Sequence, residues 1–114
     1  MNSEILNKPW GTELIVLKDT NYYIRVLSIN PLCRTSLHNH AHRREIITVI
    51  SGKGLLTFDN DEFFIKQDNT ILIPDAIKHR IMNVDKKNVL IISELCKGSI
   101  RDEDIKRYED DYGR

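Results

Sequence analysis

HNHAHRREIITVISG, residues 38–52, carries two kinds of β signal in one stretch. His38, His40 and His42 alternate as side chains on one face of a strand do. Ile46–Ile50 is a continuous β-branched run closed by the turn residues 51–54, Ser-Gly-Lys-Gly. Two imidazoles from one strand can share a metal. Glu45 has the wrong parity for the histidine face, so a bend or bulge between His42 and Glu45 is needed to bring it there, and the polar Ala41–Arg44 stretch suits such a break.

Similar short runs extend outward from this stretch. Thr12–Leu17 and Tyr22–Ile29 precede it, and Pro31 ends the second of them. Leu55–Phe58 and Glu62–Ile65 flank a tight turn at 59–61, Thr70–Ile73 runs into Pro74, and Lys78–Val84 turns through 85–88 into Val89–Leu95. Eight or nine short strands with short polar connections favour an all-β barrel or double-sheet jelly roll over a βαβ arrangement. Residues 102–108 carry acidic side chains first and basic ones after, which predicts a short C-terminal helical tail or a frayed end.

The chain has 114 residues, the length of one domain, taken as 1–114. Lys plus Arg and Asp plus Glu are balanced at 17 each, which offers nothing to nucleic acid or an anionic membrane. Cys33 and Cys96 form no CxxC and read as reduced thiols of a cytoplasmic protein. The opening MNSEILNKPWG lacks the charged start and apolar core of a signal peptide.

His38, His40, Glu45 and Gly52 fit H-x-H-x4-E-x6-G. Pro74, His79 and Asn83 fit P-x-G-x2-H-x3-N, with Ala76 where Gly is usual. Together they resemble the paired motifs of the cupins, and two motifs in order are far more specific than one. The resemblance implies a double-stranded β-helix (a jelly-roll barrel) with His38, His40, Glu45 and His79 as metal ligands. Three neutral imidazoles and a carboxylate suit one divalent ion, with zinc placed before Mn, Fe, Ni or Co. His42 has three available roles: a substitute ligand for His38, an acid–base group, or a residue of the rim.

The flanks narrow the resemblance. Residues 8–11 (KPWG), 34–45 (RTSLHNHAHRRE), 78–83 (KHRIMN) and the ending 104–114 (DIKRYEDDYGR) look like the C-terminal domain of type II mannose-6-phosphate isomerases, standing alone. That domain often follows a GDP-mannose pyrophosphorylase domain, of whose glycine-rich phosphate loop there is no trace. The resemblance implies a homodimeric, metal-dependent enzyme acting on a small sugar phosphate and interconverting mannose 6-phosphate and fructose 6-phosphate through an enediol. His42 is its candidate general base, and Arg34, Arg43 and Arg80 are its candidate phosphate ligands, although strand alternation turns Arg80 away from His79's face. Trp10 and Tyr22 stand where the family has them. The family usually has Gln at His38, His-Trp at Ile46 and Ile47, a turn glycine at Leu32 and Arg at Val26. Two other readings remain open: a cupin isomerase or epimerase of another activated sugar, and a non-catalytic cupin that binds a sugar or a metal.

Overall fold

The computed structural model describes residues 3–98 and 104–114. Strands β1 (Glu4–Lys8), β2 (Gly11–Lys18), β3 (Tyr22–Ile29), β4 (Leu37–His40), β5 (Arg43–Ser51) and β6 (Lys53–Phe58) lead into β7 (Asp61–Lys66), β8 (Thr70–Ile73), β9 (His79–Asn83), β10 (Leu90–Gly98) and β11 (Ile105–Glu109). They form two antiparallel sheets, ordered β1-β2-β3-β10-β5-β8 and β11-β4-β9-β6-β7. This is the all-β jelly roll that the sequence predicts.

The inward residues of the first sheet change character along each strand. On β3, Leu27 and Ile29 are buried at one end, and Tyr23 and Arg25 stand at the other. On β5 the apolar pair is Ile47 and Val49 and the polar pair Arg43 and Glu45; on β10, Leu90 and Ile92 precede Glu94 and Cys96. Register aligns the ends, because Ile92 pairs with Leu27 and Val49, whereas Cys96 pairs with Tyr23 and Glu45. One half of the barrel is therefore an apolar core, which Trp10, Leu56, Ile73 and Ile81 complete. Each fully buried aliphatic side chain stabilises that half by about 1.5–3 kcal/mol. The other half is polar and open.

Two turns depart from the usual residue. Leu32 has φ 60° and Ala76 φ 67°, so both occupy left-handed backbone at the two places where the resemblance expects glycine.

Residues 102 and 103 lie outside the described residues, but from Ile105 onward the expected helical tail is a strand. Ile105–Glu109 pairs with β4, Ile105 opposite His40 and Arg107 opposite His38. A segment this short gains little from helix formation alone, whereas the open edge of β4 offers a hydrogen-bonding ladder. Tertiary pairing overrides the charge pattern.

A candidate metal centre in the open half of the barrel

Arg43–Glu45 is regular strand, and the bend that brings Glu45 to the histidines comes earlier than expected, as a turn at Ala41 and His42 between β4 and β5. Before it, His38 and His40 face inward from the second sheet. After it, Arg43 and Glu45 face inward from the first. His79 stands directly across the ladder from His38. The three imidazoles form a compact group, with centroids 5.2 Å (His38–His40), 4.4 Å (His38–His79) and 6.0 Å (His40–His79) apart. One ring nitrogen from each falls within 4.8 Å of the others.

The backbone orients two of the rings. His38 Nδ1 lies 2.9 Å from the Ser36 carbonyl and His79 Nδ1 2.9 Å from that of Ile77, an arrangement that places the proton on Nδ1 and turns the Nε2 lone pair inward. Burial pushes the His38 and His40 pKa values down, well down for His38, so both are neutral near pH 7, as ligands must be. Burial also opposes protonation of His79, but Glu45 outweighs it and raises that pKa.

Glu45 is only 1% exposed. Its Oε1 lies 3.3 Å from His40 Nε2 and its Oε2 3.6 Å from His79 Nε2. Neither carboxylate oxygen has a hydrogen bond, nor do His40 Nδ1 and His79 Nε2. Burial alone would raise the Glu45 pKa; proximity to His40 and His79 and the charge of Arg25 hold it well below the usual range instead. A buried carboxylate with two unsatisfied oxygens costs several kcal/mol unless a cation balances it. The four residues therefore fit a divalent ion by their own chemistry.

Glu45, Glu94 and Cys96 make a second close group. Burial lifts the Cys96 thiol far above its usual range, so it stays protonated and is a poor ligand. Glu94 is tied to Arg25, whose Nε donates to Oε2 at 2.6 Å, while Arg25 Nη1 donates to Glu13 Oε1 at 2.8 Å. Burial first, and then the Glu45 charge, raise the Glu94 pKa to about 7 against the pull of Arg25.

The centre opens into a cavity of about 480 Å³, lined by residues that include all three histidines, Trp10, Tyr23 and Glu94. Tyr23, rather than the exposed Tyr22, presents its ring there, and Arg43 Nη1 donates to its hydroxyl at 3.0 Å. Of the arginines suggested by sequence, only Arg43 lines the cavity. Arg34 is engaged by both carboxylate oxygens of Asp111, at 2.6 and 2.8 Å. Arg80 faces the other side of its strand and donates to the carbonyls of Thr35 and Glu109. His42 is exposed on the turn, its backbone N–H donating to Asp104 Oδ2 at 3.1 Å, and does not line the cavity. Alternation fails for His42 because the strand ends at His40.

Sequence reasoning passed over Tyr23, Arg25 and Glu94. Their signal was parity: each continues the inward phase set by Leu27 and Ile29 or by Leu90 and Ile92. A charged residue in a buried phase marks a polar site.

Comparison with known proteins bears on the family and the fold. The sequence model of the family described as "Mannose-6-phosphate isomerase C-terminal" matches residues 2–110. The alginate biosynthesis protein AlgA of Pseudomonas aeruginosa is 33% identical over 107 residues, 94% of this chain and 22% of AlgA. The chain thus spans less than a quarter of that curated relative. Among solved structures, the capsular polysaccharide assembling protein CapF of Staphylococcus aureus superposes with a TM-score of 0.84 at 18% identity, over 95% of this chain and 34% of CapF. The nucleoside dehydratase Pac13 of Streptomyces does so with 0.79 at 13% identity, over 95% of this chain and 86% of Pac13. At those identities the likeness concerns the fold, a cupin barrel.

Proposed function

The chain belongs to the mannose-6-phosphate isomerase C-terminal family, and from that premise we propose a metal-dependent sugar-phosphate isomerase interconverting mannose 6-phosphate and fructose 6-phosphate. The observation that carries the proposal is Glu45, buried without a hydrogen bond on either oxygen beside three inward imidazoles at the base of a ligand-sized cavity. A divalent ion held by His38, His40, Glu45 and His79 would act as a Lewis acid, lowering the cost of the enediolate oxyanion by several kcal/mol.

The isomerisation moves one proton between neighbouring carbons and a second between their oxygens, so a base must face the cavity. Glu94 does, and its carboxyl, with a pKa near 7, can both accept and return a proton at neutral pH. Arg25 orients the Glu94 carboxylate. Burial keeps Tyr23 protonated, so its phenol can donate to a sugar oxygen while accepting from Arg43. His42, exposed on its turn, is not retained as the base.

Ile46 and Ile47 support a second reading, action on a different activated sugar. Ile47 is fully buried in the apolar half beneath the site, where the family usually carries a Trp. A coupled assay of metal-loaded protein separates the two. Turnover of mannose 6-phosphate with Zn, Mn, Co or Ni supports isomerisation of that substrate. No turnover with any of them sinks it, and turnover of a nucleotide-linked sugar supports the alternative.

A further inference from the structure

We propose that Arg107 is the anchor for the anionic end of the substrate, binding the phosphate of a phosphorylated sugar at the mouth of the cavity. This rests on the sugar-phosphate reading above and adds the residue that selects a phosphorylated over a free sugar.

The inference begins from register. Residues opposite one another in an antiparallel ladder project to the same face. Arg107 pairs with His38, and His38 pairs with His79. The three form one row across β11, β4 and β9, and all three line the cavity. The row runs from buried His79 and His38 to exposed Arg107, so its charged end stands in solvent beside the metal centre.

Charge accounting separates Arg107 from the other cavity cations. Arg25 is engaged by Glu13 and Glu94, Lys8 lies 3.5 Å from Glu13, and Arg114 is held by Asp110. Arg43 supports Tyr23. Among the described residues Arg107 has no carboxylate within ion-pair distance, and the same holds for Lys18. Lys18 stands on β2 opposite Tyr23, in the other sheet from the histidine row. A guanidinium presents a planar fork of donors matched to phosphate oxygens, which favours Arg107 over an ammonium.

The strand that carries Arg107 is firmly placed. Arg80 donates to the Glu109 carbonyl at its end, and Arg34 grips Asp111 just beyond it. Two arginines suggested by sequence as phosphate ligands thus hold in position the strand that presents a third.

The test is calorimetric titration of the metal-loaded protein with mannose 6-phosphate, mannose and inorganic phosphate, alongside steady-state kinetics. For Arg107→Gln the affinity for mannose 6-phosphate should fall about tenfold, as loss of an exposed charge-assisted contact implies. Mannose affinity should be unchanged, KM should rise with little change in kcat, and Arg107→Lys should be intermediate. Arg44→Gln, an exposed change outside the cavity, should have no effect. Unchanged phosphate affinity in Arg107→Gln overturns the proposal, as does an equal loss for mannose or a larger loss in Lys18→Gln. Weakened inorganic phosphate binding in Arg107→Gln, in a protein that never turns over mannose 6-phosphate, supports the anchor while defeating the isomerase reading.

Discussion

His38 and His79 face one another across the β4–β9 ladder, their ring centroids 4.4 Å apart, and each ring is held by the carbonyl two residues before it. The two sequence motifs, separated by a hairpin and a loop, thus converge through a single pairing. A metal centre built this way depends on ring orientation as much as on ligand identity.

Replacing a ligand should therefore differ sharply from replacing its neighbour on the turn. His40→Ala and His79→Ala are expected to weaken zinc binding by at least about 100-fold, whereas His42→Ala should leave it unchanged. Metal content after dialysis and a competition titration measure both. Equal losses in His40→Ala and His42→Ala would mean that the ligand set is wrongly drawn.

Glu45 should make stability depend on metal. Chelation should lower the melting temperature of the wild-type protein, because an ion present at 1,000 times its Kd contributes about 4 kcal/mol. In Glu45→Gln the buried charge is gone and the ion binds poorly, so chelator should scarcely move the melting point. A variant as chelator-sensitive as wild type would remove Glu45 from the site.

Glu94 sets the expected pH profile. Its base form is the carboxylate, whose pKa burial raises, so activity should be level at high pH and fall as pH drops through the Glu94 pKa. Glu94→Gln should lower kcat by roughly 10²–10⁴-fold while retaining metal. Metal content measured across the same pH range separates this limb from ligand protonation. A Glu94→Gln variant with wild-type kcat would contradict the assignment.

Leu32 and Ala76 hold left-handed backbone that glycine adopts without strain. Each costs about 1–2 kcal/mol there, part of which is offset by the entropy glycine adds to the unfolded chain. Leu32→Gly and Ala76→Gly should each stabilise by about 0.5–1 kcal/mol. Leu32 is 54% exposed, so little packing is lost with its side chain. Chemical denaturation reads the change, and destabilisation in both variants would refute the strain argument.

The sequence disclosed most about features that are local. Alternation of His38 and His40 and the turns around Gly52 and residues 59–61 reflect neighbouring residues and appear in the structure as read, while the bend before Glu45 falls earlier, at Ala41 and His42. The Ile105–Glu109 strand was hidden because its stability comes from β4, far away in the chain. That Arg34 and Arg80 stand outside the cavity was hidden for the same reason: Asp111 and the Glu109 carbonyl, which engage them, are distant in sequence. Arg25 and Glu94 were visible in principle, as charges in the inward phase of apolar strands. Their meaning appears only when β3 and β10 lie side by side.

An anomalous-difference map from zinc-loaded crystals tests the central claim most directly. The account predicts one strong peak in the cavity, about 2.0–2.2 Å from a ring nitrogen of each of His38, His40 and His79 and from a Glu45 carboxylate oxygen. A peak at Glu94 and Cys96 instead, at His42, or only on the protein surface would contradict it.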